Sequence, residues 1–154
     1  LIQRPTQALE QLSEGPSPVD TESMAPARPT QVILVVEDTR PIADLICQTL
    51  NEEQQYEAIA VENGASALET LKGVKASLLI LDVTLPGISG LELYDLLQAD
   101  AAMRSIPVIF VTADLAATHR LAKGSTAKVL AKPFDLDDLL AMVQSALDAP
   151  TEWR

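Results

Sequence analysis

Five side chains in this sequence have types and positions that suit chemistry. Glu37 and Asp38 follow the β-branched run Val32–Val36 (VILVV), and Asp82 follows Ser77–Leu81 (SLLIL). Thr112 follows Pro107–Val111 (PVIFV), and Lys132, with Pro133 behind it, follows Lys128–Ala131. Taken singly, each has a bland reading, because charged and hydroxyl side chains at loop positions are mostly solvated. Placed after four separate strand-like runs, they form a set of three carboxylates, a hydroxyl and an ammonium. Crowded carboxylates repel, and a hard divalent cation relieves them. Mg²⁺ prefers oxygen ligands and is held by one or two carboxylates together with phosphate oxygens. A neighbouring carboxylate can then attack phosphorus. Charge in phosphoryl transfer spreads over three equatorial oxygens. The metal, the Thr112 hydroxyl and the flexible Lys132 ammonium can each take one of them.

For these residues to meet, the runs must lie parallel. Short apolar runs alternate with helical patterns throughout residues 31–148. Pro41 opens a helix showing Ile42, Leu45, Ile46 and Leu50 at helical spacing, a first-turn position that suits proline. Tyr56–Val61 reads as a weaker strand, and Ala65–Lys72 as a helix showing Leu68 and Leu71 that Gly73 can stop. After a Pro86–Gly87 turn, Ser89 is placed to cap a helix reaching Ala99 with Leu93, Leu96 and Leu97 on one face. Leu115–Ala122 is a weak helix, and Asp135 caps a last one carrying Leu136, Leu139, Leu140, Val143 and Leu147. Five strands alternating with five helices predict an α/β, doubly wound, flavodoxin-like fold. Its five-stranded parallel sheet has the order 2-1-3-4-5, with helices on both faces. In such sheets the site lies beyond the carboxyl ends of the strands, which is where the five residues fall.

Composition narrows the function. Of 154 residues, 22 are acidic and 11 basic, for a formal charge of −11, with aromatics at 3%. So acidic a chain is a poor partner for the nucleic-acid backbone or an anionic membrane surface, and no apolar run is long enough to span a bilayer. The lone Cys47 excludes an internal disulfide and suits a cytoplasmic setting. It sits mid-helix and reads as a small packing residue. Residues 1–30 hold five of the ten prolines and a net charge of −2, and are expected to be a flexible lead. Ala8, Leu9 and Leu12 within it could form one short helical face. Residues 31–148 carry −9 and form the domain, and 149–154 are a tail with no net charge. His119 and Trp153 have no partner residues at useful spacing and read as surface positions.

The segments VILVVED, LLILDVTLPGISGLEL, VIFVTA and LAKPF resemble the receiver domain of two-component response regulators over residues 32–148. The steps of 44 residues from Asp38 to Asp82 and 30 more to Thr112 accord with it. The resemblance implies that Asp82 accepts a phosphoryl group from a phosphohistidine on a histidine kinase or a histidine phosphotransfer protein. It also implies that Glu37, Asp38, Asp82 and the backbone carbonyl of Thr84 hold Mg²⁺. Thr112 and Lys132 would contact the phosphoryl group, Pro133 would follow a cis peptide bond, and Thr84 and Asp114 would flank the path of attacking water. A downstream protein target is implied but not named, and a homodimer is compatible with the family. With only six residues after the last helix, signalling is expected to run through protein contact.

Two features depart from the family. Val129 stands where an aromatic is usual, three positions before the lysine, and a β-branched side chain has no ring to swing. The 20 residues from Thr112 to Lys132 are a couple short. Two other readings stay open. One is a degenerate receiver serving as an unphosphorylated scaffold, although the nucleophile and acidic pair are both present. The other is a Mg²⁺-dependent phosphatase with an aspartyl nucleophile, but Thr84 stands where haloacid-dehalogenase-like enzymes need a second aspartate. The loop after the first strand (EDTRP) is not a glycine-rich phosphate cradle, so a nucleotide cofactor is not expected.

Overall fold

The computed structural model describes residues 30–114, 116 and 127–148. The expected helix Leu115–Ala122, His119, the residues of the lead before Thr30, and the tail with Trp153 lie outside the described residues. Five strands form one sheet: β1 (Gln31–Val36), β2 (Tyr56–Val61), β3 (Leu78–Asp82), β4 (Val108–Thr112) and β5 (Lys128–Ala131). Their order is β2-β1-β3-β4-β5 and every pairing is parallel, as the alternation of runs predicts. Four described helices connect them: α1 (Arg40–Asn51), α2 (Gly64–Gly73), α3 (Gly90–Gln98) and α4 (Leu136–Asp148).

Successive residues of a strand point to opposite faces, so each central strand feeds two cores. Leu34, Val36, Leu79, Leu81 and Phe110 pack with Leu71 of α2 and with Leu93 and Leu97 of α3. Ile33, Val35, Ile80, Ile109 and Val111 pack with Ile46 and Leu50 of α1 and with Leu139 and Val143 of α4. All five residues of β3 and of β4 are buried, which explains why these runs are apolar without alternation. Tyr94 meets Phe110 edge-on at 5.2 Å between ring centroids. With so few aromatics, branched aliphatic side chains build most of both cores.

The helix ends show local chemistry. Pro41 lies in the first turn of α1. Ser89 caps α3 by accepting from the Glu92 amide at 3.1 Å, while Glu92 Oε1 accepts from the Ser89 amide at 2.9 Å. These reciprocal bonds satisfy two amides that a helix start leaves without partners. Gly87 has φ 75° in the turn before it, a conformation costly for a residue with a Cβ.

Three expectations need correction. Gly73 is the last residue of α2 without left-handed geometry, and Val74 beyond it is extended at φ −124°. The chain therefore leaves the helix straight toward β3 and needs no left-handed stop. Leu45 and Leu96, expected on buried faces, are about half exposed, at 48% and 49%. In α1 the buried stripe runs through Ala43, Ile46, Thr49 and Leu50, so Leu45 lies beside it. Asp82 and Thr112 are the last residues of β3 and β4 rather than the first beyond them, so ladder hydrogen bonds hold their backbones.

Candidate functional site

The site occupies the carboxyl edge of the sheet, where the order reverses between β1 and β3. Glu37 continues β1, and its amide donates to the Val61 carbonyl of β2 at 3.1 Å. Its side chain is buried, and Oε2 accepts from the Thr39 amide at 3.2 Å. Asp38, next in the chain, is exposed. Asp82 ends β3 and is 5% exposed, with Oδ1 accepting from the Thr84 amide at 3.0 Å. One ligand oxygen from each of Glu37, Asp38 and Asp82 lies within 4.8 Å of the others.

Lys132 reaches into this cluster from the end of β5. Its Nζ donates to Glu37 Oε1 at 3.0 Å and to Asp82 Oδ2 at 3.1 Å, joining β5 to the ends of β1 and β3. The Lys132–Pro133 peptide bond is cis, as expected. The Lys132 amide donates to the Thr112 carbonyl at 2.8 Å, which ties the lysine to β4. Thr112 is buried, and its hydroxyl oxygen accepts from the Asp114 amide at 2.9 Å.

The electrostatics follow from this packing. Burial pushes the Glu37 carboxyl above its ordinary range; the hydrogen bond from Lys132 opposes that and the Asp82 charge adds to it. For Lys132, burial would lower the ammonium, but the hydrogen bonds to Glu37 and Asp82 outweigh it and the net shift is upward. The lysine is therefore held charged between two carboxylates.

The sequence reading placed the five residues at one edge, and Glu37, Asp38, Asp82 and Lys132 do meet there. It assigned Lys132 only to phosphate and missed its bond to both carboxylates. Three acids against one nearby cation were the available signal. It also missed Gly90. A Cβ built there would collide with the Asp82 carbonyl oxygen and lie 2.8 Å from Val83 Cα. The Gly90 amide donates to the Val83 carbonyl at 2.8 Å, so the start of α3 rests directly on the backbone of the Asp82 loop. A glycine just after the Ser89 cap, where no turn calls for one, was the sign.

The donor set fits Mg²⁺. Around a six-coordinate Mg²⁺ at about 2.0–2.1 Å, neighbouring oxygens stand about 3 Å apart and opposite ones about 4 Å, so three oxygens within 4.8 Å of one another would draw together to share one ion. All the donors are hard oxygens, and exposed Asp38 leaves an open side for water and phosphate.

Comparison with known proteins agrees with this geometry. The family model described as the response regulator receiver domain matches residues 33–144. The phosphate regulon transcriptional regulatory protein PhoB of Klebsiella pneumoniae is 34% identical over 117 residues, covering 75% of this chain and 51% of PhoB. The chain thus spans about half the length of the first curated relatives it matches. The polar-differentiation response regulator DivK of Brucella anthropi is 32% identical over 117 residues, which is 94% of that protein and 75% of this chain. Among solved structures, response regulator TrrA of Thermotoga maritima in complex with Mg²⁺-BeF superposes with a TM-score of 0.68 at 31% identity. That match covers 77% of this chain and 100% of TrrA.

Proposed function

Because the chain belongs to the response regulator receiver domain family, we propose that it is a phosphoacceptor whose nucleophile is Asp82. The observation that carries this reading is the cluster itself: Asp82, Glu37 and Asp38 within metal-sharing distance, with Lys132 bonded to two of them. Glu37, Asp38, Asp82 and the Thr84 carbonyl would hold Mg²⁺. When bound, the ion neutralises charge on the phosphoryl oxygens.

An Asp82 carboxylate oxygen attacks the phosphorus of a phosphohistidine. The P–N bond breaks with its electron pair going to the imidazole, and an aspartyl phosphate forms. Lys132, held beside Asp82 Oδ2 at 3.1 Å, is near enough to pass to a phosphoryl oxygen with little movement. Thr112 accepts a hydrogen bond from Asp114 and keeps its own proton for another phosphoryl oxygen. Burial of Asp82 keeps these groups in a partly dehydrated setting, where each interaction is stronger than in water.

The donor in this reading is a histidine kinase or a histidine phosphotransfer protein, and the output is contact with a downstream protein. The receiver is residues 31–148, between a lead of residues 1–30 and a tail of residues 149–154, and it acts in the cytoplasm. Among the described residues no helix is long and apolar enough to cross a membrane. Intact-mass spectrometry after incubation with Mg²⁺ and acetyl phosphate tests the proposal. We expect one added phosphoryl group in the native chain and none in Asp82→Ala. No addition from acetyl phosphate or from a phosphohistidine donor would leave the scaffold reading in its place.

A further inference from the structure

The amino edge of the sheet, where the strands begin, carries a cleft of about 960 Å³. Its walls come from the end of α2, the turns into β3 and β4, the last turn of α4 and Gln31 at the start of β1. Val74, Met103, Ile106 and Leu147 are only part-buried, so apolar surface stands open to the cleft. Met103 and Ile106 pack against the core under α2 and α3, and Leu147 against the core under α1 and α4. The cleft therefore crosses the end of the sheet from one core to the other. The space is ample for an aromatic ring, which buries about 150–250 Å² when enclosed. Gln31, Ser77 and Ser105 add oxygen acceptors on its walls.

Charge selects no occupant. Lys72 and Lys75 line the cleft, but Glu69, Asp100 and Asp148 lie at the same edge. Reach and side-chain type do discriminate. The lead joins the domain at Gln31 and the tail follows Leu147, and both of these residues are in the cleft wall. Six residues out, the two segments differ. Residues 25–30 (APARPT) hold no apolar side chain larger than proline, whereas the sixth residue past Leu147 is Trp153. Pro150 disfavours helical backbone at Ala149, which takes the chain off the α4 axis. Six residues reach up to about 20 Å, enough to return across the end of the sheet. A tether that short gives an effective concentration on the order of millimolar, so one buried aromatic ring is a sufficient anchor.

We propose that residues 149–153 turn back beneath the sheet and seat the Trp153 indole in this cleft, its N–H donating to one of those oxygens. Trp153 is the only tryptophan, so fluorescence of the full chain reports on it alone. We expect acrylamide to quench it several-fold more slowly than it quenches free N-acetyltryptophanamide. Nuclear Overhauser cross-peaks locate the ring, and we expect them between the indole protons and the methyl groups of Met103, Ile106 and Leu147. Trp153→Ala should move those methyl resonances by removing the ring current, with the far-UV circular dichroism spectrum unchanged. Quenching at the free rate in the native chain, or indole cross-peaks only to another face, would overturn the proposal. Protection that rises with protein concentration would do the same, by placing the ring on a second copy. So would cross-peaks from Met24 of the lead to these methyl groups in place of those from Trp153.

Discussion

Lys132 shows how one residue serves folding before it serves chemistry. Without metal it is the cation that lets Glu37 and Asp82 stay buried and close, and removing one partner of a buried pair leaves uncompensated charge. Lys132→Met should therefore destabilise the metal-free domain by on the order of 2 kcal/mol, below the full cost of a broken buried pair because its side chain is 18% exposed. Chemical denaturation without Mg²⁺ measures this. Added Mg²⁺ should recover part of the loss, and unchanged stability would mean the bond carries little weight. Cys47 gives a second residue-scale expectation. Burial, then the Asp44 charge, raises its thiol above the ordinary 9.0, so at any pH below that less thiolate is present than in an unfolded chain. Since the thiolate is the reactive species, alkylation near pH 8 should be several-fold slower in the native protein than in denaturant. Equal rates would count against it. Its packing role was legible in the sequence because apolar neighbours at helical spacing surround it. The bridging role of Lys132 was not, because hydrogen bonds across 95 and 50 residues leave no local pattern.

At the scale of elements, the start of α3 is the joint on which Asp82 depends. Alanine is a better helix former than glycine by about 1 kcal/mol, so propensity alone would favour Gly90→Ala. The added Cβ meets backbone, not a yielding side chain, at Asp82 and Val83. Overpacking of this kind costs about 1–3 kcal/mol or more, and the clash should win. We expect Gly90→Ala to lower the melting temperature and slow phosphorylation of Asp82. Ser89→Ala should cost about 1 kcal/mol through the lost cap and leave the phosphorylated fraction at saturation unchanged. If both variants behave alike, the close approach is not what positions Asp82. Strands and caps were readable because β-branched runs and Ser-x-x-Glu are local signals. The exposure of Leu45 and Leu96 was not, since helical spacing allows neighbouring stripes. The buried ones run through Ala43, Ile46 and Leu50 and through Gly90, Leu93 and Leu97, with Leu45 and Leu96 beside them. Val129 is half-buried and packs beside the core that includes Phe110, as an ordinary small apolar residue. The aromatic part of the family's usual switch should therefore be absent, and comparison of free and beryllofluoride-bound crystal structures checks it. An aromatic ring newly buried beside β5 in the bound form would refute it.

For the whole molecule, the expected charge of −9 on residues 31–148 has two distinct sources that solution conditions can separate. Carboxylates scattered over the surface repel at long range, and any salt screens them, with a Debye length of about 10 Å at 0.1 M. Glu37, Asp38 and Asp82 repel at short range within 4.8 Å, where two of them are buried and screening is weak. Monovalent salt should therefore stabilise the metal-free chain gradually and without saturation. Mg²⁺ should act at far lower concentration and saturably, because binding to the native state alone adds RT ln(1 + [L]/Kd), about 2.7 kcal/mol at a hundredfold excess over Kd. Asp38 separates the two terms. It is the exposed member of the cluster, so Asp38→Ala leaves the core intact while removing one ligand and one repelling charge. In thermal melts this variant should be as stable as the native chain or slightly more so without metal, and should keep its response to NaCl. Its response to millimolar Mg²⁺ should be largely lost. If Asp38→Ala kept the saturable Mg²⁺ response, the ion would bind elsewhere, and the acidic edge would be only a concentrated part of the general surface charge.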